Sequence, residues 1–464
     1  MIRKFFTCIG ITCGLLLNGP AMSDDFGEDF DPFSDTAINL DALSLPPATE
    51  PYIFSGELKL DLGYSPQRLG SDWSKLQISS LLKLDADIDE QTHLRLSWQG
   101  YYDAAYEHLG RSSFDDETLD SYETDSELHE GYISRRLGDH SRLKIGRQII
   151  VWSMAELARV TDVVTPLDQR ELGMKSIGDQ RLSATAAMLS SNFGAWQYDL
   201  VILPEVRTDE LPTRDSGLDP YVLVRGPGVR IQNEEVPNTS LDNTEFAARI
   251  LYSFHGGDLS LIAADMFDDT AYLNFSGLDA GTILLTPKHR RVFNIGLAGN
   301  VVSGSWLYKF ELLRQHGKAI QRNDLRAQIL SGVPNPTSFS ERNLLKGLIG
   351  LEYSGFNDTS VILEYFGETI EEHDSTLAQD LFDHNLGLYI SNQAFNETFS
   401  STLTWIHNLR HGGGDLLRLN LDYKIDDNIE VGTAYVLWSA DETENSLYPY
   451  RKNDRINFTF TYRF

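Results

Sequence analysis

Apolar and polar residues alternate along most of this chain. From residue 53 to the end, runs of about ten residues with a period of two are separated by polar segments. In GELKLDLGY, Leu58, Leu60, Leu62 and Tyr64 share one side, and Glu57, Lys59 and Asp61 take the other. The run LQISSLLKLDADI sets Leu76, Ile78, Leu82, Leu84 and Ile88 against Lys83, Asp85 and Asp87. WLYKFEL and LLRLNLDYKI divide in the same way, with Lys309 and Glu311 polar in the first and Arg418, Asp422 and Lys424 polar in the second. The last run, RINFTFTYRF, puts Ile456, Phe458, Phe460, Tyr462 and Phe464 on one face and polar residues between them. Successive side chains of a strand point to opposite faces, so each run predicts a strand with one greasy and one polar side.

Eighteen such strands can be counted, with sixteen and twenty as the neighbouring alternatives. The gaps between them alternate in length. Tight turns at 89–92, 138–141, 193–196, 255–258, 303–305, 357–360, 396–398 and 426–428 follow the even-numbered strands. Long polar segments near 104–124, 153–180, 205–242, 269–282, 317–342, 369–383 and 440–454 follow most odd-numbered ones; the gap at 65–73 is modest and that at 411–415 is short. A soluble sandwich also alternates, but short turns at one end and long loops at the other are the pattern of a transmembrane barrel. Hydrocarbon offers no partner to an unpaired backbone N–H or C=O, so a sheet crosses a bilayer only when it closes without an edge. The expected fold is all-β: one antiparallel transmembrane barrel over residues 53–464, with short periplasmic turns, long extracellular loops and both ends on the periplasmic side.

The N-terminus adds the compartment. Arg3 and Lys4 precede an apolar run from Phe5 to Leu17, followed by the small-residue stretch Ala21-Met22-Ser23, so residues 1–23 read as a secretory signal peptide. Both cysteines, Cys8 and Cys13, lie inside it, which excludes disulfides, thiolate metal sites and cysteine nucleophiles from the rest of the chain. No apolar run reaches the length of a membrane-crossing helix. Lys and Arg number 39 against 68 Asp and Glu, a balance that repels nucleic acid. Residues 24–52 hold eight acidic residues, no basic ones and a Pro-rich end; they read as a plug for the lumen or as a tail that docks a periplasmic partner. The expected location is the outer membrane of a Gram-negative cell, where the partners are lipid and lipopolysaccharide.

The two faces then acquire roles. Trp98, Trp196, Trp306, Tyr353, Tyr365, Trp405, Tyr423, Tyr435 and Tyr462 fall on the greasy registers, where rings with one polar end form girdles at headgroup level. Lys59, Asp61, Lys83, Asp85, Arg95, Arg249, Lys309, Glu311, Lys346, Glu352, Glu364, Arg418, Asp422 and Lys424 fall on the polar registers and are the expected pore lining. A barrel of this strand number leaves an aqueous interior, and charges there need water or partners. They either hold the barrel's shape as pairs or steer a permeant.

The stretch Leu128 to Leu172 is the most distinctive. Its order GRQ-x-x-x-W…R-x-x-D-x-V-x-P-x-D, carried by Gly146, Arg147, Gln148, Trp152, Arg159, Asp162, Pro166 and Asp168, resembles a family of uncharacterised proteobacterial outer-membrane β-barrel proteins. More distantly it is similar to polysaccharide-exporting porins of the alginate type. The resemblance implies a barrel with a transport role and no defined substrate. Arg159, Asp162, Asp168 and Arg170 sit in the third long loop beside the apolar LARVTDVVTPL, which has little reason to stay in open water. The loop over 153–180 is therefore expected to fold inward and narrow the pore, the alternative being an external cap. Arg147 shares parity with the lipid-facing Leu143 and Ile145, which calls for a bulge near Gly146 or a position above the membrane.

No spacing singles out a nucleophile with its base, and HEGYI at 129–133 lacks the second His of a zinc-protease helix. No catalysis, cofactor or metal is expected. The expected function is passive transport through a charge-lined lumen, or the outer component of an export or uptake route. The alternatives are a barrel enzyme acting on lipids or glycans and a structural or adhesive surface protein. The ring-rich ending, with Phe460, Tyr462 and Phe464, looks like the signature by which barrel-assembly machinery recognises its clients.

Overall fold

A computed structural model describes residues 52–66, 73–410, 412–443 and 445–464. The leader at 1–23 and the acidic stretch at 24–52 lie outside the described residues, except for Tyr52, which opens the first strand. In chain order the strands are β1 (Tyr52–Tyr64), β2 (Trp73–Asp89), β3 (Thr92–Asp103), β4 (Thr124–Leu137), β5 (Ser141–Gln148), β6 (Ala184–Phe193) and β7 (Trp196–Leu203). There follow β8 (Val229–Ile231), β9 (Glu245–Phe254), β10 (Gly257–Phe267), β11 (Tyr272–Asp279), β12 (Thr282–Lys288), β13 (Arg291–Ser303) and β14 (Trp306–Gln321). The remainder are β15 (Phe339–Phe356), β16 (Thr359–Ile370), β17 (Phe382–Ala394), β18 (Phe399–Asn408), β19 (Gly414–Lys424), β20 (Ile429–Ala440) and β21 (Arg455–Arg463).

Eighteen of these form one sheet in which each strand pairs antiparallel with the next of the eighteen, β7 with β9 and β10 with β13 included, and β21 returns to β1. The sheet is a closed barrel. All eight tight turns fall where the alternation places them, between β2 and β3, β4 and β5, β6 and β7, β9 and β10, β13 and β14, β15 and β16, β17 and β18, and β19 and β20. Among the described residues no helix is long and apolar enough to cross a membrane, so the strands do the crossing. β14 and β15 run 16 and 18 residues, longer than a tilted span needs, and stand out beyond the bilayer on the long-loop side.

One loop differs from expectation. The segment expected as a plain loop at 269–282 extends to 290 and contains β11 and β12, which form a separate three-stranded sheet with β8. Residues 282–288 alternate like a barrel strand, but Pro287 has no N–H to donate and the run lacks a following tight turn. Leu273, Ile283 and Leu285 bury themselves against Leu325 of a short helix instead.

The outside of the barrel is apolar. Leu200, Ile202, Leu259, Leu261, Phe293, Ile295, Tyr308 and Phe310 are all exposed, as only a lipid-facing surface tolerates. Trp196 and Tyr252 meet at 4.6 Å beside one tight turn, and Trp306 and Tyr353 do the same beside another, building a girdle at the short-turn end. Tyr64 and Trp73 contribute to the opposite rim. At the closing seam Leu58, Leu60 and Leu62 lie across from Tyr462, Phe460 and Phe458. Phe464 ends the chain on Gly56: its N–H and C=O bond to the Gly56 backbone at 3.0 and 2.8 Å, and its ring lies where a Cβ on residue 56 would sit.

Candidate functional site

The interior is shaped by the loop between β5 and β6, residues 149–183. It folds into the barrel. Ile150, Trp152 and Val164 pack on an apolar patch of the inner wall made by Ala184, Ala186, Val201, Leu203, Ala247, Ile262, Ala264 and Met266. Small residues at four of those positions leave room for the loop's backbone to approach the wall. Ala155, Ala158 and Val160 then pack on Leu313 of β14 and Leu348 of β15.

Backbone that leaves water must find partners, and two buried carboxylates supply them. Glu311 of β14 accepts from Ser153 Oγ at 2.8 Å and Met154 N at 2.6 Å through one oxygen, and from Thr161 N at 2.9 Å and Oγ1 at 2.7 Å through the other. Glu364 of β16 accepts from Glu156 N at 3.0 Å and Leu157 N at 2.9 Å. Lys309 beside it pairs with Glu364 at 2.6 Å and donates to Met154 O at 3.0 Å. Glu311 lies in the middle of a membrane-crossing strand, so the loop sits at bilayer depth.

Arg159 ties this loop to two others. Its guanidinium meets Asp209 at 3.2 Å and Asp269 at 2.7 Å and also bonds the loop's own carbonyls at Asp162 and Thr165. The loop then crosses to the far wall. Arg170 pairs with Asp168 at 2.9 Å and Asp125 at 3.0 Å, and Glu171 bridges Lys75 of β2 at 2.6 Å and Arg455 of β21 at 2.9 Å. Beside the crossing lies a cavity of about 480 Å³, bounded on one side by Asp168, Arg170, Glu171, Lys175 and Asp179. On the other side stand Lys59, Asp61 and Lys75, then Tyr101, Asp103, Arg418, Asn420, Asp422, Asn457 and Thr459, from the inner faces of β1–β3 and β19–β21.

The crossing is built to stay charged. Burial alone would raise the Asp168 carboxyl, but Lys175 and Arg170 hold it down to about 2. Burial acts on Glu171 in the same way and is outweighed by Lys75, Arg455 and Lys175, which keep it well below the usual carboxylate range. A depressed folded-state pKa gives stability that is present above the unfolded value near 4 and lost as pH falls through the folded one. Asp269 goes the other way: burial, opposed by Arg159 and reinforced by Asp209, pushes it up to about 7. Its protonation between pH 7 and 4 favours the folded knot. The loop's hold is therefore expected to persist as pH drops from 8 to about 4 and to fail only below about 3. The expected observation is a conductance that is flat over the first range and rises over the second, measured in planar bilayers.

The residues named from the sequence divide into three groups. Lys59, Asp61, Arg418 and Asp422 line the cavity, as do Asp168 and Arg170 of the loop. Lys83, Asp85, Arg95, Glu352 and Lys424 share the inward registers nearer the short turns, with Arg95 on Asp85 at 2.7 Å; Lys346 faces inward on β15. Arg249, Lys309 and Glu311 face inward too, but they are covered rather than open. Arg249 pairs with Asp199 at 2.8 Å beneath the Trp152 ring, and the loop lies over the other two. Arg159 and Asp162 likewise do not reach the cavity; Asp162 is buried against Arg181 at 2.9 Å. A loop that enters the barrel needs acceptors, and inward charges become its anchors.

Arg147 takes neither of its two expected places in simple form. No extra residue is inserted, but Gly146 adopts φ +132°, and its backbone approaches Gly131 O so closely that a Cβ would lie 2.2 Å from it. Arg147 ends beside Glu205 at 3.2 Å and Glu127 at 3.8 Å. Gln148 is buried and donates to Ala186 O at 3.0 Å, and Pro166 O accepts from Leu182 N at 2.8 Å. The motif residues thus fix where the loop leaves the wall and how it returns.

A family model described as "Protein of unknown function (DUF1302)" matches residues 73–464, and the chain belongs to that family. No curated protein shows a significant sequence match. Among solved structures the barrel is similar to OccAB3 of Acinetobacter baumannii, at 10% identity and a TM-score of 0.51 over 89% of this chain and 99% of that one. OccAB1 of the same organism matches at 10% identity and 0.51, over 89% and 96%, and OccAB4 at 8% and 0.51, over 90% and 100%. The fold is that of the outer-membrane porins, and with its lipid-facing exterior the chain is an outer-membrane β-barrel.

Proposed function

We propose that this DUF1302-family barrel is a passive channel for small hydrophilic solutes, narrowed by its own third long loop. The observation that carries the reading is the cavity of about 480 Å³ left between residues 168–179 and the wall of β1–β3 and β19–β21. Its lining is mostly carboxylate, cation, amide and hydroxyl, with Leu81, Met174 and Ala434 interspersed among them. That volume equals roughly sixteen waters at their share of the liquid, enough for a small solute and too little for a folded chain or a large oligosaccharide.

Liposome swelling with a graded set of sugars, organic acids and apolar compounds tests it. Small polar solutes are expected to enter, with rates that fall steeply as size increases. Swelling that ignored solute size, or no swelling at all, would contradict the proposal. Glu171 provides a finer check. E171Q removes the charge that joins Lys75 and Arg455 to the loop, and is expected to raise single-channel conductance while leaving the barrel folded. An unchanged conductance would mean that this bridge does not set the width.

A further inference from the structure

Arg136 and Arg142 lie directly opposite each other on β4 and β5, on the registers that face the lumen. Like charges in that position repel. Nevertheless, neither has a carboxylate within 4.0 Å among the described residues, and the Nε of each is buried without a hydrogen-bond partner. Inward carboxylates of β2 and β4 are already engaged: Asp85 holds Arg95 at 2.7 Å and His93 at 3.2 Å, Asp87 holds His93 at 3.0 Å, and Glu130 lies 3.9 Å from Arg95. On the other flank Arg142 faces Ser190 of β6, which has no charge to offer. The next inward residue of β5, Lys144, lies over the Tyr132 ring at 3.8 Å. Other cations of this interior are matched to acids, as Lys75, Arg249 and Lys309 show, whereas Arg418 meets only the Thr404 hydroxyl, at 3.5 Å, among the described residues.

We propose that Arg136 and Arg142 form an anion-binding site at the short-turn end of the lumen, with the planar forks that take a carboxylate or a phosphate. Two half-buried guanidinium groups facing each other, each with a buried Nε lacking a partner, repel; an oxyanion between them satisfies both. The residues stand just inside the turn at 138–140, at the periplasmic end. The ligand chemistry has two sources. One is a small anion passing through the channel, a role that rests on the transport reading above. The other is the chain itself, whose acidic residues at 24–52 precede β1 at the same end.

Equilibrium dialysis with radiolabelled inorganic phosphate, on the detergent-solubilised mature chain at low ionic strength, separates these possibilities without requiring transport. Saturable binding is expected, and the double variant R136Q/R142Q is expected to lose at least about tenfold in affinity. R136K/R142K should keep part of it. Heat-modifiable gel migration checks that each variant is a folded barrel, and removing both repelling charges in R136Q/R142Q favours folding. A chain lacking residues 24–46 serves as the second arm. Tighter phosphate binding there identifies the acidic stretch as the occupant in the full chain; unchanged binding leaves the site to a passing solute. Either result supports the anion site. Absence of saturable binding in both chains, or binding indifferent to the glutamines, overturns it. Binding without conductance would instead sink the channel reading and leave the site standing.

Discussion

Deleting residues 156–175 is expected to raise single-channel conductance by roughly threefold or more, because an 18-stranded wall without an inner loop encloses an aqueous pore. The deleted segment carries the contacts that fill the interior: Leu157 and Glu156 on Glu364, Thr161 on Glu311, Arg159 on Asp209 and Asp269, and Glu171 on Lys75 and Arg455. The barrel itself should survive, since its closure depends on strand pairing and not on the loop. A milder version is E311A. It removes the acceptor of four bonds from Ser153, Met154 and Thr161, and leaves buried backbone donors unsatisfied at a cost of about 1–3 kcal/mol each. Its expected signature is a channel that flickers between a narrow and a wide state. A deletion that left conductance unchanged would show that the loop does not set the limiting width.

Removing Phe464 is expected to act on assembly, with inserted molecules conducting as before. The last residue closes the seam: its backbone makes two hydrogen bonds to Gly56, and its ring fills the notch that Gly56 leaves, beside Phe54 and Tyr462. Two hydrogen bonds and one ring together are worth about 3–5 kcal/mol, so the yield of folded barrel should fall on the order of tenfold or more. The assay compares heat-modifiable barrel in outer membranes with conductance per inserted channel. Lower conductance at normal yield would contradict this reading, since Phe464 faces lipid and not the lumen.

Much of the fold was legible in the sequence because a barrel's constraint is simple. Lipid on one side and water on the other impose a period of two, and that rhythm located the strands, the turns and the inward registers of Lys59, Asp61, Arg418 and Asp422. The same rhythm says nothing of what covers an inward residue. Arg249, Lys309 and Glu311 read as open lining and proved to be covered by the loop. Ala184, Ala186, Ala247 and Ala264 gave no signal at all, because where the loop packs, both faces of the wall are apolar and alternation fades. Lys75 and Tyr101 were missed for a related reason. Their importance comes from Glu171 and Arg170 reaching them across the lumen, from 96 and 69 positions away in sequence respectively. The GRQ motif was visible as a pattern, but its role as the mount of an in-folded loop came from Gly146, Gln148 and Trp152 in three dimensions.

This barrel is expected to conduct, with its own loop keeping it narrow. Current through the purified, intact mature chain in a planar bilayer tests it most directly. Discrete steps of uniform, small amplitude are expected, flat between pH 8 and about 4 and clearly smaller than those of the chain lacking 156–175. A silent bilayer, or steps already as large as those of the loop-deleted barrel, would contradict it.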